Sequence, residues 1–106
     1  MDKGNIYKQI PGDLSKEVFE GLAEGERVRV ERIISKGHSS PDSGWYDQEL
    51  NEWVLVLQGE ASIAFEGGSL VKLERGDYIN IAAHQKHRVV NTSRETETIW
   101  LAIHYV

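Results

Sequence analysis

Apolar and polar positions along the chain change rhythm once. Near the start, Leu14, Val18, Phe19 and Leu22 recur at helical spacing behind Pro11-Gly12-Asp13. Asp13 is placed to cap a helix and Gly25 to end it, so the pattern predicts one short helix over residues 13–24. From Arg27 onward the rhythm is that of strands and turns. In Arg27–Ser35, Val28 and Val30 fall on one face and Arg27, Arg29 and Glu31 on the other, and Arg32 breaks the apolar parity. Lys36–Gly44 reads as a loop. Glu52–Leu57 is almost wholly apolar, as expected of a strand covered on both sides. Gln58-Gly59 turns the chain, and 60–65 returns. Glu66-Gly67-Gly68 is a hairpin signal. Strands at 70–73, 78–82, 87–92 and 98–106 complete the set, with turns about every ten residues. The expectation is an all-β, antiparallel sandwich or small barrel. The N-terminal strand and short helix would occupy residues 1–26 and the barrel 27–106.

The length, 106 residues, allows one core. No apolar run approaches the roughly 20 residues that span a bilayer, and no apolar stretch follows Met1–Asn5 to make a signal peptide. The absence of cysteine removes disulfides and thiolate metal sites. A cytoplasmic protein is the expectation. Twelve basic against seventeen acidic residues give a net charge of −5. The basic residues are dispersed, so neither nucleic acid nor a membrane is an expected partner. P-loop, dinucleotide-binding, nucleophile-elbow and zincin motifs are absent.

Chemistry concentrates in a few places. Glu52 opens the apolar strand and shares parity with Val54 and Val56. A carboxylate on a covered face must be paired or bound to a cation, unless it sits solvated at the strand mouth. His87 shares parity with Val89 and Asn91. His84 precedes it by three residues in a turn, placed to chelate with it or to sit at a pocket rim. His104 shares parity with Trp100 and Ala102, on a face whose direction parity does not decide. Trp45, Tyr46 and Trp53 crowd the start of the apolar strand and can pack the core or wall a pocket.

Glu52-(six residues)-Gly59, Gly76-Asp77 at a strand start, and His87-(three residues)-Asn91 together resemble the single-domain cupins, small antiparallel jelly-roll barrels. The family's motifs run G-x5-H-x-H-x3 or 4-E-x6-G and G-x5-P-x-G-x2-H-x3-N. The second is matched at Gly76, His87 and Asn91, with Ala82 for the proline and His84 for the second glycine. The first is matched at Glu52 and Gly59, and both histidines are replaced. One spacing puts Trp45 and Asp47 in their places, the other Tyr46 and Gln48. The resemblance implies a divalent metal (zinc, iron, manganese or nickel) on Glu52 and His87, with Asp47 or Gln48 and His84 as further ligands. An oxygen-rich set of this kind suits such ions over copper(I). It also implies a small-molecule ligand inside the barrel, with dioxygenation, isomerisation or decarboxylation among the family's reactions. The competing expectation is a metal-free, non-enzymatic binding or sensing module. A homodimer is expected, through Asn5–Ile10 and the Arg27–Ser35 strand.

Overall fold

A computed structural model describes residues 1–41 and 43–106. Eight antiparallel strands form two sheets: β1 (Val18–Gly25), β2 (Val28–Ser35), β3 (Asn51–Gln58), β4 (Ala61–Phe65), β5 (Leu70–Leu73), β6 (Tyr78–Ile81), β7 (His87–Thr92) and β8 (Thr98–Tyr105). The larger sheet runs β1-β2-β8-β3-β6 and the smaller β5-β4-β7. The jelly roll expected from the strand spacing is present.

The helix expected over 13–24 is not. Its apolar spacing covers little more than two turns, too short a nucleus to persist alone. β1 instead pairs with β2 from Val18↔Ile34 to Gly25↔Val28. Asp13 does cap, but caps a single turn: its Oδ1 accepts from the Ser15 N–H at 3.0 Å. The boundary after residue 26 falls in the turn of the β1–β2 hairpin, where Arg27 takes φ 63°. The strand expected at a dimer edge, Arg27–Ser35, is not an edge. As β2 it is paired on both sides, to β1 and β8.

The core lies between the sheets. Ile33, Val54, Val56, Trp100 and Ala102 of the larger sheet face Ala61, Ile63, Phe65 and Leu73 of the smaller, all buried. In β3 the buried positions are Glu52, Val54 and Val56, so the alternation places Glu52 inward. In β8, Trp100, Ala102 and His104 are all buried with it. Trp53 has the opposite parity and stacks on Tyr78 on the outer face, ring centroids 5.4 Å apart.

Arg32 explains its broken parity. Only 5% exposed, it lies under the N-terminal segment, donating to the carbonyls of Ile6, Lys8 and Gln9 and to Glu20. The segment 5–10 is thereby fastened to its own chain.

Candidate functional site

One end of the barrel holds a cavity of about 340 Å³. That is the lower part of the range for small-molecule sites. Ile33, Val54, Ile63, Ile81, Val89 and Trp100 give it apolar walls, and its polar lining carries Gln48, Glu52, His87 and His104 together with Glu17, Arg29, Glu31, Ser39 and Ser40.

Strand register assembles that end. On the central strand β8, His104 has Glu52 of β3 on one side and Arg29 of β2 on the other. The His104 Nε2–H donates to Glu31 Oε1 at 2.9 Å and lies 3.7 Å from Glu52 Oε2. The other Glu52 oxygen is 3.5 Å from His87 Nε2. Glu31, His104, Glu52 and His87 therefore form one chain of alternating carboxylates and imidazoles, buried except at half-buried Glu31. The His87 Nδ1–H donates to the Gln85 carbonyl at 2.9 Å, which turns Nε2 toward Glu52.

These contacts set the titration of His87. Burial, the largest influence, lowers its pKa. Hydrogen bonding to Glu52 and to the Gln85 carbonyl, with the attraction of the Glu52 charge, outweighs it, and the pKa stands above the ordinary 6.5. The folded protein thus holds the proton more tightly than the unfolded chain. The stabilisation is fully present below the unfolded value, about 6.5, and is lost as pH rises through the folded one. The urea midpoint should fall between about pH 6 and pH 8, and His87→Gln should flatten that fall. An unchanged slope in the variant would refute the assignment.

The segment before β3 is placed by a backbone bridge. Tyr46 N–H donates to the His87 carbonyl at 2.8 Å and His87 N–H to that of Tyr46 at 3.2 Å, while His84 N–H donates to the Gln48 carbonyl at 2.8 Å. Alternation along this extended run turns Tyr46 and Gln48 into the cavity. Asp47 turns out. Its Oδ1 meets His84 Nδ1 at 2.7 Å on the surface, with side chains 42% and 65% exposed. The structure thus gathers Glu52, His87 and Gln48 and keeps Asp47 and His84 apart from them. The shorter motif spacing is the one the backbone uses.

Asn91 also leaves the site. A register shift between Ser62 and Ile63 interrupts the β4–β7 ladder, and Asn91 is exposed beyond it, although Val89 still lines the cavity. Trp45 lies under the Arg88 guanidinium, 4.9 Å from it, and is not among the cavity's lining residues. Glu31 was legible only as one residue of an alternating strand. Its inward parity with Arg29 and Ile33 was the available signal, and without the β2–β8 register nothing tied it to His104.

A family model described as the cupin domain matches residues 30–104. The chain belongs to the cupin family. A protein from Ralstonia eutropha JMP134, provisionally named a mannose-6-phosphate isomerase, is 38% identical, with TM-score 0.94 over 99% of this chain and 98% of its own. A cupin superfamily protein from Desulfitobacterium hafniense DCB-2 is 22% identical, with TM-score 0.74 over 92% and 84%. An RmlC-like cupin from Desulfovibrio desulfuricans is 20% identical, with TM-score 0.75 over 98% and 96%. The last two show likeness of fold alone. No curated protein matches the chain.

Cupins often bind divalent metals through three histidines and a glutamate. Here Tyr46 and Gln48 stand at two of those places. Among the described residues, no three His, Asp or Glu side chains converge as an ion site. What remains is Glu52, His87 and the Gln48 amide, whose Oε1 is buried without a hydrogen-bond partner. No helix of the described residues is long and apolar enough to cross a membrane.

Proposed function

We propose that this cupin binds a small, partly apolar molecule inside its barrel and meets the molecule's polar group with Glu52 and His87. The observation that carries this reading is the buried Glu52–His87 contact, 3.5 Å, in a cavity whose lining also carries a large apolar surface. His87 is positioned to give or take a proton: its Nδ1 is committed to Gln85, and Glu52 stabilises the imidazolium. Glu52 is in turn flanked by His104, itself anchored by Glu31. The pair binds and orients, and serves as an acid–base couple for a ligand that exchanges a proton.

A second reading keeps a divalent ion on Glu52, His87 and Gln48. The orphaned Gln48 Oε1 favours it, since a buried acceptor without a donor is a costly arrangement unless something else meets it. Such an ion, when bound, would polarise a carbonyl or carboxylate of the ligand. Two ionisable donors and a neutral amide make a weaker set than the family's four ligands.

Calorimetric titration of chelator-treated protein with Mn²⁺ and Zn²⁺ separates the two. The first reading expects no saturable binding. The second expects one ion per chain, abolished in His87→Ala, weakened in Gln48→Ala and unchanged in Asp47→Ala. Binding lost in Asp47→Ala but kept in His87→Ala would remove the site as drawn from both.

The R. eutropha relative's name points to a phosphorylated sugar. The balance of charge around this cavity, with Glu17, Glu31 and Glu52 against Arg29, does not support carrying that ligand over.

The protein is also proposed to be a homodimer. Trp53, Leu55, Leu101 and Ile103 lie half-buried on the outward face of the larger sheet, an apolar surface that a second copy would cover. Light scattering at micromolar concentration should give twice the 12.0 kDa chain mass. A single-chain mass would refute it.

A further inference from the structure

We infer that the ligand of the barrel pocket is an organic cation, an ammonium group carried on a small apolar body. The inference rests on the pocket being the binding site and adds the charge and hydrogen-bonding character of what enters it.

Charge comes first. Three carboxylates line the cavity, those of Glu17, Glu31 and Glu52, against one guanidinium, Arg29. Arg29 is 49% exposed at its side chain and stands 3.7 Å from Glu31, so these two charges largely offset each other and leave Glu17 and Glu52. Among the described lining residues, the other groups able to carry positive charge are the imidazoles of His87 and His104. With the three carboxylates ionised, the lining reaches balance when both imidazoles carry a second proton and is net negative when either does not. A phosphate ester would leave water for a cavity with no surplus of positive charge, and burial without compensation is costly for an anion. An ammonium entering the same cavity finds Glu17, Glu31 and Glu52 in its lining.

Hydrogen-bonding capacity points the same way. Of the imidazole donors at the polar end, His104 Nε2–H goes to Glu31, His87 Nδ1–H goes to the Gln85 carbonyl, and His87 Nε2 faces Glu52. Acceptors are left over. Gln48 Oε1 is buried and has no donor. Among the described residues no backbone N–H donates to Glu52, and its oxygens face imidazoles at 3.5 and 3.7 Å, long for firm hydrogen bonds. A group that donates to Gln48 Oε1 and to Glu52 fits this end. An ammonium, with up to three N–H bonds, can satisfy the amide oxygen and a carboxylate together. The aliphatic walls and Trp100 accept an apolar ring or branched chain beside it.

Three probes with one body and different heads test the assignment: benzylamine, benzyl alcohol and benzyl phosphate, titrated at neutral pH into the full-length protein while the Trp100 indole N–H signal is followed by NMR. Benzylamine should bind about tenfold tighter than benzyl alcohol, the difference of one charge-assisted hydrogen bond. Benzyl phosphate should show no saturable shift. The amine-to-alcohol ratio should narrow in Glu52→Gln and, should that variant fail to fold, in Glu31→Gln. If benzyl phosphate or the alcohol binds as tightly as the amine, or the ratio persists in the folded variants, the cation assignment is wrong while the pocket remains a binding site. If no probe shifts Trp100, both the cation and the pocket reading fall.

Discussion

Replacing Gly59 with alanine is expected to cost about 3–5 kcal/mol of stability. Gly59 turns β3 into β4 with φ +81°, in the left-handed region that glycine adopts freely. A Cβ there would stand 2.5 Å from Thr98 Oγ1, 2.8 Å from Thr98 Cα and 3.0 Å from the Glu97 carbonyl. Two of these three neighbours are backbone atoms, which no rotamer change can move. Thr98 is fully buried, and its hydroxyl donates to the Glu60 carbonyl at 3.2 Å, so it has no room to retreat. Strain and overlap therefore add. For a domain of this size the melting temperature should fall by about 15–30 °C, followed by circular dichroism. Gly21→Ala is the control, because a Cβ at that position meets nothing within 4 Å. A Gly59→Ala protein that melts within about 3 °C of wild type would show that the turn relaxes in a way this packing does not permit.

Arg32→Ala should cost about 2–4 kcal/mol. The guanidinium donates to three backbone carbonyls, those of Ile6 (3.2 Å), Lys8 (2.7 Å) and Gln9 (3.3 Å), and to Glu20 Oε1 at 2.7 and 3.1 Å. Removing it leaves those acceptors unpaired and opens space beneath the N-terminal segment. Glu20 is 36% exposed at its side chain and can turn to water, which keeps the loss below that of a fully buried pair. Gln9 holds φ 54°, an unfavourable backbone angle that the clamp maintains, so its release returns part of the loss. The expected signature is local as well as global: amide exchange and proteolysis should rise sharply over residues 5–10 before the barrel unfolds. Arg32→Lys should recover only a fraction, because one ammonium cannot reach acceptors spread around a planar fork. Unaltered protection of the N-terminal segment in Arg32→Ala would refute the clamp.

The sequence by itself determined the fold class and most of the strands, and it picked out Glu52 and His87, which the structure brings together in the candidate site. Turn chemistry recurs at short intervals, and β-strand alternation is a local property, so β5 and β7 fall where the pattern puts them and Glu52 faces inward with Val54 and Val56. Tertiary structure decided what local pattern leaves degenerate. Val18–Gly25 reads equally as a short helix, and only the ladder offered by β2 makes it a strand. Asp47 and Gln48 are neighbours with opposite parity, and the Tyr46–His87 bridge chooses Gln48 for the cavity and sends Asp47 to His84. The shift in the β4–β7 ladder removes Asn91 from the face its motif suggests. His104 and Glu31 join the site because β8 runs between β2 and β3, bringing together residues 73 positions apart in the chain. Arg32, an apparent fault in an alternating strand, is explained only by the segment folded over it. In each case the deciding interaction is long-range: a strand's faces are set by its own periodicity, but which face meets a cavity, a neighbour or water is set by what pairs beside it.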